Sequence, residues 1–353
     1  LRSLSKDVLA KDAYLFPIKD ADLFVYANPI GGRENSSQGA SMYRADNPKF
    51  GATFSLYLKG GDKSLKSVRQ KEANKLEKEK EAVPYPSFDE LRDEEMEGKL
   101  KLIWVIKDSE SIEIKRISSS PSKGLSRVTW NLRTTSTDQV GVKNFGEAKS
   151  YGFLVIPGEY SVEIFSEKDG IIKEVIANTK FNVVGLNNQT LLASNNEELK
   201  AFRKEMAEVR RSVSGAENLM KETGEKLKIV ENAVRNYPGA DLNLLKDVEK
   251  IKNLLLLCDL IMNGDKLKAK HQVEDTPSIS DRLWTVYYQL YSNTTGIAAT
   301  QKLNKEIAME DYAEFRVNLD VAVVQLSGLE SKLEAAGVPY IKGKDEKWKS
   351  EEE

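Results

Sequence analysis

The hydrophobic pattern of the chain changes its period once, near residue 188, and no other feature constrains the fold as much. Before this point apolar residues alternate with polar ones in short runs bounded by Gly, Pro, Asn and Ser, which is typical of half-buried strands. After it apolar residues recur every three or four positions over long stretches, which is typical of amphipathic helices. We therefore expect an α+β chain of two domains, in agreement with a length of 353 residues.

The first domain, over residues 22–187, contains seven runs with strand character. Their alternation predicts that each strand has one buried and one solvated face, as in antiparallel sheets. The predicted fold is an antiparallel immunoglobulin-like β-sandwich, with a barrel as the alternative. The runs occupy residues 23–26, 52–58, 100–106, 112–117, 128–132, 160–165 and 181–184.

A charged insertion interrupts this domain at about residues 63–98. Its first part favours a helix that ends before the VPYP sequence of residues 83–86. Ser87 and Glu90 have the spacing of a capping box and predict the start of a second, short helix. We expect a solvated helical insertion, with a basic docking surface as the alternative.

The second domain, over residues 188–341, shows four helical stripes. The first runs from Leu199 to Tyr237, and the others cover residues 244–262, 283–294 and 312–336. Because none can bury its stripe alone, they predict an antiparallel four-helix bundle. The first helix is longer than its expected partners, so an alternative is that part of its stripe faces another chain, as in an oligomeric coiled coil, or a missing domain. Residues 342–353 are rich in Lys and Glu and predict a disordered tail.

The composition argues against several kinds of chemistry. With one cysteine, Cys258, and one histidine, His271, the chain cannot form a disulfide within itself or a zinc site of several thiolates and imidazoles. A Gly-rich phosphate loop is absent, and we expect no cofactor, no metal and no catalytic residue. The net charge of −2 disfavours nucleic acid as a partner. The longest apolar stretch, residues 254–262, is too short to cross a membrane.

Six aromatic residues are the candidates for a binding surface. An aromatic cluster in the third helix could stack on sugars or bases, although packing in the core or at its rim is the favoured interpretation. Two further tyrosines lie in the strand domain. The six residues are Trp284, Tyr287, Tyr288 and Tyr291 in the helix, and Tyr43 and Tyr57 in the first domain.

Several short segments, taken in order and with their spacing, resemble one protein family. They are LRSL (1–4), VLAKDAYLF (8–16), DNPKFGATF (46–54), VPYPS (83–87), GLSRVTWNLR (124–133), VIPGEY (155–160) and LESKLEAAGVPY (329–340). Together they resemble the region after the β-propeller in large secreted bacterial proteins described as sortilin-like or BNR-repeat (sialidase-like) glycosyl hydrolases.

This resemblance implies that residues 1–21 are a lead-in from a propeller that is not part of the chain. The chain, which begins with Leu1 and not with Met, would then be a processed or excised piece of a secreted, periplasmic or cell-surface bacterial protein. The implied function is that of a non-catalytic structural and interaction module whose partner is the propeller or another protein surface. Two alternatives remain: a carbohydrate-binding accessory module, which would bind a glycan, and a glycoside hydrolase that uses a pair of carboxylates.

Overall fold

A computed structural model of the chain describes residues 3–25, 48–61, 63–136, 152–186, 191 and 195–338, with the backbone alone at Ser292. The described residues combine sheets and helices, as expected for an α+β chain. They divide into two compact units, a sheet unit before residue 192 and a helical unit from residue 195 onward. The change of hydrophobic period near residue 188 therefore coincides with a boundary between structural units.

The sheet unit contains a short helix, α1 (Lys6–Ala10), and eight strands in two sheets. The first sheet has the order β1 (Ala13–Leu15), β3 (Ala52–Leu58), β6 (Gly124–Trp130), and its pairs are antiparallel. The second sheet has the order β2 (Ala21–Leu23), β8 (Ile171–Gly185), β7 (Gly158–Lys168), β4 (Lys101–Asp108), β5 (Glu113–Ser119).

Two sequence predictions for this unit need correction. The sheets are not wholly antiparallel, because β2 and β8 pair in parallel, with Ala21 opposite Val183. Alternation reveals which face of a strand is buried but not the direction of its neighbour, so the sequence could not show this pair. The start of the first domain, predicted at residue 22, is too late, because Ala13–Leu15 of the predicted lead-in form β1 and Ala21 begins β2.

Both sheets contribute to one apolar core. Phe54 of β3 stacks on Trp104 of β4 with ring centroids 5.7 Å apart. Trp130 of β6 is fully buried against Tyr160 and Phe181, and its indole N–H donates to the main-chain carbonyl of Arg133 at 2.8 Å. A buried indole needs such an acceptor, because an unpaired buried donor is costly.

The charged insertion folds as predicted, into α2 (Leu65–Glu79) and α3 (Phe88–Met96). Ser87 and Glu90 form the expected capping box at the start of α3. Arg69 of α2 forms an ion pair with Glu94 of α3. The structure describes every side chain of these two helices, and none of them is buried.

The helical unit consists of α4 (Asn196–Asn236), α5 (Leu244–Asn263), the short α6 (Lys266–Lys270), α7 (Ile279–Ser292) and α8 (Ala299–Ala335). Sequence signals mark several ends correctly. Asn195 caps α4, Gly264 follows the last residue of α5, and Ser278 with Asp281 forms a capping box on α7. The last helix begins at Ala299, before its predicted stripe starts at residue 312.

The two long helices, α4 and α8, run parallel to each other. Glu198 pairs with Lys302 at 2.8 Å and Glu205 with Lys305 at 2.6 Å, so residues about one hundred positions apart lie side by side. Further along, the Tyr312 hydroxyl donates to the Ser212 carbonyl at 3.1 Å. Near the far ends Val234 and Leu333 belong to the same buried cluster.

The helices α5 and α7 both run opposite to α4 and α8, one after the other. Lys252 of α5 pairs with Glu231 near the end of α4, whereas Arg203 near the start of α4 donates to the carbonyl of Asn293, just after α7. The end of α5 meets the start of α7, where Ser280 donates to the Asn263 side chain at 3.2 Å.

The helical unit is thus an up-down-up bundle of three legs. The helices α4 and α8 are the first and third legs, and α5 followed by α7 forms an interrupted middle leg. The predicted antiparallel four-helix bundle is wrong. At 1.5 Å per residue, α5 and α7 together span about 51 Å, close to the roughly 55 to 62 Å of the long helices. Apart from the half-buried Val209, the stripe of α4 is buried within the chain from Leu199 to Val234, because α8 is also long. No oligomeric partner is needed to cover it.

Candidate binding surfaces

The structure separates the two candidate tyrosines of the first domain. Tyr43 lies outside the described residues. Tyr57, on β3, is half buried, and its hydroxyl donates to the main-chain carbonyl of Leu9 at 3.2 Å. This bond ties the segment that contains α1 to the sheet, so Tyr57 has a structural role.

The four aromatic residues of α7 form two pairs and not one continuous platform. Trp284 and Tyr288 are 60% and 59% exposed, and their ring centroids lie 6.0 Å apart. Tyr287 is only 7% exposed and stacks on the half-buried Tyr291 at 6.4 Å. Residues four apart share a helix face, which explains the pairs. The favoured interpretation was packing in the core or at its rim, and the structure places Tyr287 in the core and the half-buried Tyr291 at its rim, whereas Trp284 and Tyr288 are exposed.

A groove of about 270 Å³ lies beside Trp284, between α4 and α7. Its walls combine apolar side chains with two charged groups, two serine hydroxyls and one tyrosine. The groove is open to solvent, and the indole of Trp284 in its lining is largely exposed. The lining residues are Met206, Val209, Arg210, Val213, Ser214 and Glu217 of α4, and Ser280, Leu283, Trp284 and Tyr287 of α7.

The polar groups of this groove are held by their neighbours. The guanidinium of Arg210 lies over the Tyr287 ring, 4.1 Å from its centroid, which is a cation–π contact. Oε1 of Glu217 accepts from Lys221 at 2.6 Å. The groove thus presents one positive and one negative side chain next to an exposed indole.

A second depression, at the interruption between α5 and α7, is more polar, but its carboxylates already have structural roles. Asp265 caps α6, and Asp281 belongs to the capping box of α7. Asp275 pairs with Lys268 at 3.0 Å. These contacts explain the depression as part of the loop that interrupts the middle leg.

The hairpin of α2 and α3 carries large apolar side chains in solvent, and the sequence prediction did not include them as candidates. Tyr85 is 87% exposed, Phe88 is 76% exposed and Met96 is 73% exposed. Pro84 and Pro86 flank Tyr85 and restrict its backbone. A sequence signal could have identified this surface. It consists of aromatic residues in and beside a proline-rich connection, next to helices without an apolar stripe.

Polar contacts fix the base of this hairpin to the turn between β7 and β8. Glu97 pairs with Lys168 at 2.6 Å and accepts from the main-chain N–H of Leu65 at 2.7 Å. Asp169 in that turn accepts from the N–H of Gly98 at 2.6 Å. Both ends of the insertion are therefore anchored, while its apolar side chains stay exposed.

Among the carboxyl groups that the structure describes, every displaced pKa is lowered. A hydrogen bond from Arg69 lowers the pKa of Glu94, and one from Lys252 lowers the pKa of Glu231. Hydrogen bonds with Ser87 lower the pKa of Glu90. A general acid in glycoside hydrolysis needs the opposite displacement, so these ion pairs and caps do not supply one.

Cys258 is fully buried in α5, and burial raises the pKa of its thiol to about 11. We expect that a thiol reagent at pH 8 modifies Cys258 only when the bundle opens, because the thiolate is the reactive form. Labelling with a chromogenic disulfide should be slow in buffer and complete within seconds in concentrated urea. Equal rates in both would show that α5 does not pack as described.

His271, the one histidine of the chain, is exposed.

Among the described residues, no group of three or more His, Cys, Asp and Glu side chains is placed to hold a metal ion. Within the same part of the chain, no helix is both long and apolar enough to span a bilayer. No protein-family profile matches the chain, and no curated protein has significant sequence similarity to it.

Proposed function

We propose that this chain is a non-catalytic interaction module that uses the α2–α3 hairpin to dock on another folded protein domain. The observation that carries the proposal is the exposure of Phe88 and Met96 on α3 and of Tyr85 in the connection between α2 and α3, two helices without a buried side chain. Large apolar side chains clustered in one exposed segment are typical of protein interaction sites.

The low stability expected of the isolated hairpin supports the proposal that it is bound to a partner. Helices shorter than about 12 to 15 residues are marginal in water, and most helical stability in proteins comes from packing. The helix α3 has 9 residues and α2 has 15, and neither buries an apolar face. A partner that covers Phe88 and Met96 would supply the packing that these helices lack.

The charges of the hairpin favour a protein partner. The helix α2 has five basic and three acidic side chains, whereas α3 has one basic and five acidic ones. Opposite signs on adjacent helices disfavour a nucleic acid or an anionic membrane, which attract a surface of one sign. A protein surface with its own mixed charges is the matching partner. The family resemblance suggests the propeller of a secreted or cell-surface parent protein as the first candidate.

We also infer that the sheet unit is an immunoglobulin-like β-sandwich. Its two sheets share one core, and the hydroxyl of Tyr160, near the start of β7, donates to the carbonyl of Ile156 at 2.7 Å. A tyrosine near the start of a strand that bonds to the backbone a few residues upstream is a feature of immunoglobulin-like folds.

Photo-cross-linking in the native protein tests the docking proposal. A benzophenone amino acid at position 88 should cross-link to one site on one protein, and Phe88→Ala should weaken binding to that purified protein at least tenfold, as expected of an anchor residue. Ile112, an exposed apolar residue of the same unit outside the hairpin, is the matched control position. Equal cross-linking at positions 88 and 112, or none at position 88, would refute docking through the hairpin.

A further inference from the structure

The groove between α4 and α7 combines an exposed aromatic face with paired polar groups, outside the surface of the proposed docking function. Trp284 supplies the face, since Arg210 already lies on the ring of the buried Tyr287. An exposed indole at the edge of a concave site is an apolar platform for one flat side of a ligand.

The polar groups select what can lie on this platform. Arg210 can only donate hydrogen bonds, and the Glu217 carboxylate can only accept them. Lys221 uses Oε1 of Glu217, and the carboxylate has a second oxygen. The hydroxyls of Ser214 and Ser280 can accept in addition to the bonds that they donate. A ligand that satisfies this set must both donate and accept.

The charges and the size narrow the ligand further. Because one cation and one anion line the groove, a ligand with a net charge of either sign would meet a like charge on one side. A wholly apolar ligand would remove Arg210 and Glu217 from water without replacing their hydrogen bonds. The volume of about 270 Å³ lies just below the range of roughly 300 to 1,000 Å³ that is usual for drug-sized ligands. It suits a single small ring.

We propose that this groove binds one neutral pyranose ring, which stacks its C–H face on Trp284 and shares its hydroxyls between Arg210 and Glu217. A pyranose has an apolar face, adjacent hydroxyls that both donate and accept, and no charge. The open side of the groove leaves room for the rest of a glycan chain. The proposal does not depend on the docking of the α2–α3 hairpin.

Ligand-observed saturation-transfer NMR on the full chain tests this proposal with the methyl glycosides of glucose, galactose, mannose and N-acetylglucosamine. We expect at least one glycoside to bind and to receive the strongest saturation on the protons of one ring face. Trp284→Ala should weaken that binding about tenfold or more, because the stacking contact is lost. Glu217→Gln should weaken it several-fold, because a charged acceptor makes the stronger hydrogen bond.

Two controls make the result decisive. Tyr237→Ala removes another exposed aromatic side chain, just after the end of α4 and not in the groove lining, and should leave glycoside binding unchanged. Circular dichroism should show native helix content for Trp284→Ala, since this side chain is largely exposed. The proposal is overturned if none of the four glycosides binds, if Trp284→Ala binds as well as the parent chain, or if methyl glucuronide, which is charged, binds more tightly than methyl glucoside.

Discussion

Replacing Trp130 with alanine is expected to lower the free energy of unfolding of the sheet unit by about 3 to 5 kcal/mol. The indole is fully buried at the centre of the core, against Tyr160 and Phe181. Its removal leaves a cavity and also deprives the Arg133 carbonyl of the indole N–H. Native-state hydrogen exchange of the slowest amides in β3 and β6 measures the loss, because these amides exchange when the unit opens.

Leu125→Ala is the matched control for this substitution, since Leu125 lies on the same strand with an exposed side chain. Its effect should stay within about 0.5 to 1 kcal/mol. A loss for Trp130→Ala no larger than that of the control would mean that the two sheets do not share the core described above.

In the helical unit, Phe315→Ala should cost about 3 to 5 kcal/mol, measured in the same way on the amides of α5 and α8. Phe315 is fully buried in α8, and the Cys258 thiol of α5 lies 3.9 Å from its main-chain carbonyl. The substitution should also speed the labelling of Cys258, since both residues lie where α5 packs on α8.

Val317→Ala is the control for this second prediction. Val317 is two residues further along the same helix and faces solvent. Its removal should change the free energy of unfolding by less than about 0.5 kcal/mol. Similar losses at positions 315 and 317 would contradict the helix orientation on which the three-leg bundle depends.

Sequence patterns predicted the elements of this chain better than their arrangement. The period change, the charged insertion and the capping boxes at Ser87 and Ser278 depend on local chemistry, and the structure places all of them as expected. The strand β1 could not be predicted, because its three residues are too few to show an alternation of apolar and polar side chains. The first ten residues of β8 are mostly exposed, so they show no alternation.

The direction of the helices could not be read from their stripes. A stripe with the same spacing suits a parallel and an antiparallel neighbour, and short connections suggest a reversal at each turn. Residues 264–278 do not reverse the direction of the chain. They connect α5 to α7 in such a way that α7 begins where α5 ends, with Ser280 bonded to Asn263. This arrangement depends on tertiary contacts, which the stripe of either helix does not reveal. Because of it, two predicted helices form one interrupted leg.

The candidate binding surfaces were also only partly predictable from the sequence. Aromatic spacing singled out Trp284, but exposure depends on which helices flank α7, so the sequence could not separate Trp284 from the buried Tyr287. The partners in the groove, Arg210 and Glu217, lie on α4, far away along the chain. The exposed residues of the hairpin were within reach of sequence analysis, because α2 and α3 have no apolar stripe to bury.

The most direct test of the docking account is hydrogen exchange of α2 and α3 in the chain alone and in the native protein with its partners. If the hairpin docks on a protein, its amides should exchange quickly in the isolated chain and at least tenfold more slowly in the native assembly, while those of β4 stay unchanged. Equally fast exchange of α2 and α3 in both samples would contradict docking through this hairpin.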